Sequence, residues 1–399
     1  MKIEEMRLEK RKVKDLKEYP GNPRKMDKAT LEKLKKSIKE FGYVQPLIVN
    51  KTNECIGGNQ RLRALKELGV EEVDVIVVDL PKSKEKALNL ALNKIVGEFD
   101  EDLLKSFIED IDSIDLELTG FDDDEIGFLE DAEIKIEEDA YEEEENIEVN
   151  VKRGDIYILG NHRLICGDST CLDDVKRLMA GEKADMVFTD PPYNVSYSSR
   201  SETKNFKEIE NDNLSTEEFK NFLFRIGESI NYALKDDGAI YICHSDSEMN
   251  AIPFYELFTM MGWTRSASII WVKNVVSMGW QHYRSKHEVI SYGWKREKPY
   301  FIDDRGQDTV WEVDKDNVLE YMHPTQKPVE LPARAIRNSS RKGEIVLDLF
   351  GGSGSTLIAS EQLGRRCFMM ELDEYYCQVI INRWEKYTGK KAVKVSGGT

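Results

Sequence analysis

Ile345-Val346-Leu347-Asp348-Leu349-Phe350, followed by Gly351-Gly352-Ser353-Gly354-Ser355-Thr356 and Leu357-Ile358-Ala359, reads as strand, glycine turn and helix. The apolar run is that of a strand covered on both faces. The glycines let the backbone come close to a ligand, and a helix N-terminus stands behind them. No Gly-Lys-Ser/Thr follows, so the turn is not a phosphate-binding P-loop. Leu357 stands where a third glycine would complete a dinucleotide fingerprint. Further on, Cys367-Phe368-Met369-Met370-Glu371 reads as a second apolar strand with a carboxylate at its end. A carboxylate there is placed to accept hydrogen bonds from the two ribose hydroxyls of an adenosine. The pair predicts an adenosine-containing ligand at the carboxyl ends of a parallel sheet.

Upstream, Asp185-Met186-Val187-Phe188-Thr189 is another apolar run, and it delivers Asp190-Pro191-Pro192-Tyr193 to its end. Two prolines fix the backbone and remove two N–H donors, which leaves carbonyls as acceptors. An amino group on a planar ring is a poor nucleophile, because its lone pair is delocalised. A carboxylate (Asp190) and a carbonyl (Pro191) accepting its two hydrogens would localise that lone pair. Tyr193 offers a flat face for an extruded base, where stacking contributes ~1–3 kcal/mol. The plain alternative is a Pro-Pro turn with an aspartate helix cap. The strand ahead, the tyrosine and the glycine turn together argue against it.

These motifs carry a resemblance. Residues from about 149 to 399 resemble DNA amino-methyltransferases that use S-adenosylmethionine, and the motif order resembles their beta class, in which Asp-Pro-Pro-Tyr precedes the cofactor loop. His162-Arg163-Leu164-Ile165-Cys166-Gly167-Asp168-Ser169 is similar to the family's opening strand. Trp271-Val272-Lys273 and His287-Glu288-Val289-Ile290 are similar to its later core strands. His323-Pro324-Thr325-Gln326-Lys327-Pro328-Val329-Glu330-Leu331 is similar to the segment over the methionine end of the cofactor. One departure is Ser355, where the family usually carries Thr. The resemblance implies catalysis by Asp190, Pro191, Pro192 and Tyr193. It implies cofactor contacts from Asp168, Asp348, Phe350, Gly352, Ser353, Gly354, Glu371 and Lys327. Adenine N6 is the expected target, because in this family Asp at the first motif position mostly accompanies adenine and Ser often cytosine. Cytosine N4 is the runner-up. A methyltransferase for RNA or protein amides would fit an asparagine in place of Asp190 better, and a partition-type binding protein would not need complete catalytic motifs.

The N-terminal part reads separately. Lys28 to Phe41 is amphipathic, with Leu31, Leu34 and Ile38 on one face, and Gly42 ends it. Strands are expected at 45–49, 55–56 and 73–79, and helical patterns at 62–68, 82–93 and 101–111. Asn22-Pro23-Arg24 and Gly57-Gly58-Asn59-Gln60-Arg61-Leu62-Arg63-Ala64 resemble the ParB/sulfiredoxin-like N-terminal domain. Glycine before a helix with arginines nearby makes an anion cradle. Arg24, Gly58, Asn59, Arg61 and Arg63 are therefore candidates for a phosphate, nucleotide or DNA contact. A packed turn with salt-bridged arginines reads equally well. Some members of that family bind and hydrolyse CTP. Here Leu90-Ala91-Leu92-Asn93-Lys94 replaces a later element of their pattern, so hydrolysis is not expected, and an accessory DNA- or partner-contacting role is.

Composition sets the frame. The 399 residues have room for two or three domains, with 40% hydrophobic residues. No apolar run approaches the ~20 residues of a membrane span, and the charged start is no signal peptide. The six cysteines form no Cys-x-x-Cys pair, which fits reduced thiols in a cytoplasm and no metal. Net charge is −18, which alone would argue against DNA. Its distribution answers this: residues 122–148 contribute −14, and residues 1–70 sum to +8. The acidic stretch reads as a solvated linker.

The fold class expected is thus α/β: a Rossmann-like S-adenosylmethionine-dependent methyltransferase domain with permuted motifs (149–399), preceded by an acidic linker (122–148) and a small α+β ParB/sulfiredoxin-like domain (1–121). Double-stranded DNA is the expected partner, with no membrane. A homodimer is an expectation of the resemblance alone. Residues 194–212 are polar and aperiodic, as a lid would be. Residues 274–286 and 294–322 mix cations (with Lys273 just ahead of them) and aromatics (Trp280, Tyr283, Trp294, Tyr300, Trp311) suited to phosphates and bases. His287 and His323 have no clustered partners and read as structural.

Overall fold

The computed structural model describes residues 7–20, 28–94, 134–139, 147–194, 213–274, 282–302, 306–313 and 327–395. Arg24, the helical pattern at 101–111, all but Asn194 of the stretch 194–212 expected as a lid, Trp280 and His323 lie outside them. The chain divides into two units, Met1–Glu130 and Asp131–Thr399, so the division falls inside the acidic stretch.

The first unit holds β1 (Arg7–Lys12), β2 (Lys17–Glu18), β3 (Leu47–Asn50), β4 (Glu54–Gly57) and β5 (Glu72–Val78), with helices α1 (Lys28–Phe41), α2 (Asn59–Glu67) and α3 (Lys82–Lys94). Its sheet runs β1-β5-β3-β4-β2. Leu47, Val49, Cys55, Leu62, Leu65 and Val75 fill its core.

In the second unit the strands are β6 (Ile156–Leu159), β7 (His162–Cys166), β8 (Ala184–Thr189), β9 (Leu234–His244), β10 (Thr264–Val272), β11 (His287–Trp294), β12 (Val310–Glu312), β13 (Ile345–Asp348), β14 (Arg366–Glu371) and β15 (Val393–Lys394). The helices are α4 (Leu172–Met179), α5 (Thr216–Ala233), α6 (Glu248–Met261), α7 (Glu330–Ser339), α8 (Ser355–Gln362) and α9 (Glu374–Thr388). The ten strands form one sheet, β12-β10-β11-β9-β8-β13-β14-β7-β6-β15. From β9 to β7 every pair is parallel. Antiparallel pairs β9–β11 and β10–β11 extend one side, and β6–β7 and β6–β15 the other.

The central strands alternate between two cores, as a period of two requires. Met186, Phe188, Val346, Cys367 and Met369 face a core closed by Ile336 of α7, Leu357 of α8 and Ile380 of α9. Val187, Leu347, Phe368 and Met370 face another, closed by Val175 of α4, Phe219 of α5 and Phe254 of α6. Both faces are covered, which is why these strands read as unbroken apolar runs. A capping box at Ser215 and Glu218 starts α5.

The sequence order β8, then β9 on one side and β13 on the other, makes a topological switch point. Ligands of such sheets sit outside the carboxyl ends of the strands there. Asp190 follows β8 and Phe350 follows its neighbour β13, and the two strands are in register at Met186–Val346 and Val187–Leu347.

Part of the acidic stretch packs on this unit. Ile134 and Ile136 lie against the first of its two cores. Glu138 accepts from the Val329 N–H at the start of α7. Asp139 makes a two-pronged ion pair with Arg383 of α9, the side chains being 6% and 2% exposed.

Candidate active site

Thr189 and Asp348 tie the two strand ends together. Thr189 Oγ1 donates to Asp348 Oδ1 at 3.0 Å and accepts from Leu349 N–H at 3.2 Å. Phe350 N–H donates to the same Asp348 oxygen. Residue 190 and the glycine turn are thereby held side by side, as the two sequence motifs require. Asp348 is almost fully enclosed, and burial pushes its carboxyl up to about 7.

Around Asp190 the structure builds a charged cluster. Asp190 Oδ2 is 2.7 Å from Lys327 Nζ, and Oδ1 accepts from the Tyr193 hydroxyl at 2.6 Å. Lys327 also reaches Glu288 Oε2 at 3.1 Å and Tyr193 Oη at 3.2 Å. Glu288 Oε1 takes Lys273 Nζ at 3.0 Å. Burial pushes the Asp190 carboxyl above its ordinary value, against the pull of Lys327. Burial also acts on Glu288, but Lys327 and Lys273 more than reverse it and bring it down to about 2. The Tyr193 ring meets Phe254 edge-on at 6.5 Å and touches both cores.

Glu371 ends β14, next to β13. Its Oε2 accepts from Gly352 N–H at 2.8 Å, and Oε1 accepts from Leu372 and Asp373 N–H at 2.8 and 2.9 Å. Burial pushes its carboxyl up to about 7 in spite of these bonds. The turn has a tight side and an open side. A Cβ on Gly351 would come within 2.8 Å of Met369, so only glycine fits there. A Cβ on Gly352, where φ is +52°, would meet nothing within 4 Å. The Gly352 side of the turn, whose N–H donates to Glu371, is therefore open. Ser353 offers its carbonyl and hydroxyl to Arg383. Gly354 caps α8 with φ +90°. Asp168 lies just past β7, the next strand over, and its Oδ1 accepts from Thr170. The Lys327 ammonium turns to Asp190 and Glu288, and its carbonyl accepts from Ser355 Oγ at 2.6 Å.

Several residues read as DNA-facing are committed to the fold. Lys273 is buried on Glu288, and Lys295 donates to the Asn231 and Leu234 carbonyls. Trp311 is core. Their long apolar bodies are what the interior takes up, while each polar tip finds a partner inside. Arg296 and Tyr283 remain exposed. His287 contacts Asp246 at 3.1 Å. Among the described residues no group of three His, Cys, Asp or Glu could hold a metal ion. No described helix is long and apolar enough to cross a membrane.

In the first unit, Gly58 caps α2 at φ +97°. Asn59 turns inward: its Oδ1 accepts from Tyr19 N–H and its Nδ2 donates to the Cys55 carbonyl. Arg61 donates to Gln45, and Arg63 pairs with Glu18 at 2.8 Å.

Residues 184–383 match the DNA methylase family, and residues 1–94 match the ParB N-terminal domain. The chain belongs to that family: it is an S-adenosylmethionine-dependent DNA methyltransferase of the kind that acts on adenine N6 or cytosine N4. A ParB N-terminal domain stands ahead of the catalytic one. The DNA adenine methyltransferase YhdJ of Escherichia coli is 29% identical over 270 residues, which cover 58% of this chain and 86% of that protein. A probable chromosome-partitioning protein ParB of Campylobacter jejuni is 44% identical over 78 residues, 18% of this chain and 28% of that one. The solved PvuII DNA methyltransferase (cytosine-N4-specific) aligns over 60% of this chain and 94% of its own, with 18% identity and a TM-score of 0.46.

Proposed function

We propose that the protein methylates the exocyclic N6 amino group of adenine at specific sites in duplex DNA. The observation that carries this reading is the ionisable carboxylate of Asp190 beside the glycine turn at adjoining strand ends. The family resemblance adds that Asp at this position mostly accompanies adenine, and the named adenine methyltransferase of Escherichia coli is a relative. The reading extends to a cytoplasmic protein working on DNA, as one copy or two.

S-adenosylmethionine, when bound, supplies a methyl group on a sulfonium cation. The chain does the rest. The target base leaves the duplex stack and enters the pocket, at a cost of a few kcal/mol for unstacking. Tyr193, backed edge-on by the buried Phe254, offers an apolar face to it. Asp190 Oδ1 accepts one amino hydrogen, in place of the Tyr193 hydroxyl, and the Pro191 carbonyl accepts the other. The nitrogen lone pair is then localised and aimed, so rate comes from positioning. Once methylated, the nitrogen is cationic, and the negative carboxylate stabilises it until its proton is lost.

Glu371 would hold the ribose hydroxyls, Gly352 to Gly354 the amino-acid end, and Asp168 the adenine edge. Glu371 accepts two hydroxyl donors only when ionised, so binding favours its charged form. Cofactor affinity should therefore rise with pH up to about 7 and level off above it. Calorimetric titration with S-adenosylmethionine between pH 6 and 8.5 checks this, and Glu371→Gln should bind weakly with a flattened profile.

Target identity has a direct test. The protein is incubated with labelled S-adenosylmethionine and unmodified duplex DNA, and the DNA is digested to nucleosides. Label on N6-methyldeoxyadenosine is expected; label on N4-methyldeoxycytidine gives the runner-up. Label confined to RNA or protein ends the DNA reading.

A further inference from the structure

The reaction needs Asp190 ionised and pointing at the incoming amino group. Its surroundings oppose the first requirement, because burial disfavours a charged carboxylate. The compensating charge is Lys327. This ammonium is 8% exposed and lies 2.7 Å from Asp190, on the oxygen that Tyr193 does not use. Lys327 is itself shared: Glu288 takes it at 3.1 Å and is held in turn by Lys273. Two carboxylates and two ammoniums thus alternate in a closed, neutral row. The Ser355 hydroxyl anchors the Lys327 carbonyl to the first turn of α8, directly after the glycine turn. The row is therefore built into the cofactor side of the site.

We propose that Lys327 and Glu288 are positioning residues that act on Asp190 in opposite senses: Lys327 holds the carboxylate ionised through Oδ2 and leaves Oδ1, where the Tyr193 hydroxyl donates, to accept from the substrate, and Glu288 draws part of the Lys327 charge away from Asp190. The proposal rests on the reading of Asp190 as the acceptor of the target amino group. Without Glu288, Lys327 would bind Asp190 alone, and the carboxylate would be a weaker acceptor. Without Lys327, two buried carboxylates would face each other, and Asp190 would take up a proton.

Other titratable groups surround Asp190. Lys327 and Glu288 touch its oxygens directly or through one contact, Tyr193 donates to it, and Lys273 stands behind Glu288. Cys243 from β9 and Asp348 from β13 also sense it. Burial pushes the Cys243 thiol well up, so it stays neutral. Asp348 and Glu371 both titrate near 7. A single shifted pH profile could come from either, but two shifts of opposite sign could not.

The test is the pH dependence of kcat/KM for methylation by the full chain carrying Lys327→Met, Lys327→Arg or Glu288→Gln, with cofactor affinity measured at each pH. In Lys327→Met the acid limb should move to higher pH, since Asp190 is protonated sooner. The rate at neutral pH should fall on the order of 10²-fold. In Glu288→Gln the limb should move to lower pH, and the maximal rate should fall as the ion pair tightens. Lys327→Arg should restore most of the parent profile, and cofactor affinity should change little in all three. Limbs that move together, or stay put while cofactor affinity collapses, overturn the proposal and return Lys327 to the cofactor. If Lys327→Met does not fold, Lys327→Gln takes its place, so that two shifts of opposite sign are still compared. Methylation that survives Asp190→Ala would instead fault the reading of Asp190.

Discussion

Replacing Asp190 with Ala should lower methylation on the order of 10³-fold while S-adenosylmethionine still binds. The loss has two parts. The amino nitrogen keeps its lone pair in the ring, and the cation that forms on methyl transfer has no negative neighbour. Asp190→Asn should fare little better. One end of the new amide would be a donor, and Lys327, 2.7 Å from Oδ2, is a donor too. The amide must then turn its oxygen to Lys327, which leaves NH2 facing the substrate amino group. Single-turnover methylation of a saturating duplex gives the chemical step, and calorimetry gives cofactor affinity. A variant within tenfold of the parent would remove the carboxylate from the mechanism.

Asp139→Ala is the second large effect, this time on stability. It leaves the Arg383 guanidinium buried without its anion, and breaking a buried pair from one side costs about 3–5 kcal/mol. The melting transition of the methylase unit should fall by roughly 10 °C. The double variant Asp139→Ala/Arg383→Met should recover much of this, because an apolar residue leaves no stranded charge. Arg383 also holds the Ser353 carbonyl and hydroxyl, so the double variant, which removes the guanidinium, should weaken cofactor binding. Differential scanning calorimetry of the three proteins checks the order. A single variant as stable as the parent would mean that the pair contributes nothing.

Both motifs that decide the fold were legible because each combines a buried strand with an unusual end. Apolar runs of five or six residues, closed by Asp-Pro-Pro-Tyr or a glycine turn, have few other readings. Their adjacency follows from the right-handed, parallel build of such sheets. The rest of the site was harder to see. Glu288 sits on the antiparallel strand β11 and Lys273 just past the end of its neighbour β10, where charged residues usually face water, and only their ion pair shows that they are inside. α6 carries Pro253 and has apolar residues on several faces, so neither its period nor its breaker residue suggests a helix. Asp139 was hidden by its company. Among fifteen acidic residues in 122–148, nothing local marks the one that meets a buried arginine on a distant helix.

Pairing across such distances has a bearing on how the chain is made. β7 lies between β14 and β6, and the bond from Cys367 N–H to His162 Nδ1 closes a gap of 205 residues. Asp139 waits still longer for Arg383. As the chain leaves the ribosome, the β6–β7 hairpin must stand with both edges bare until β14 and β15 arrive to cover them. A bare edge is an invitation to wrong partners, so synthesis of this unit is the stage at which chaperones have most to protect.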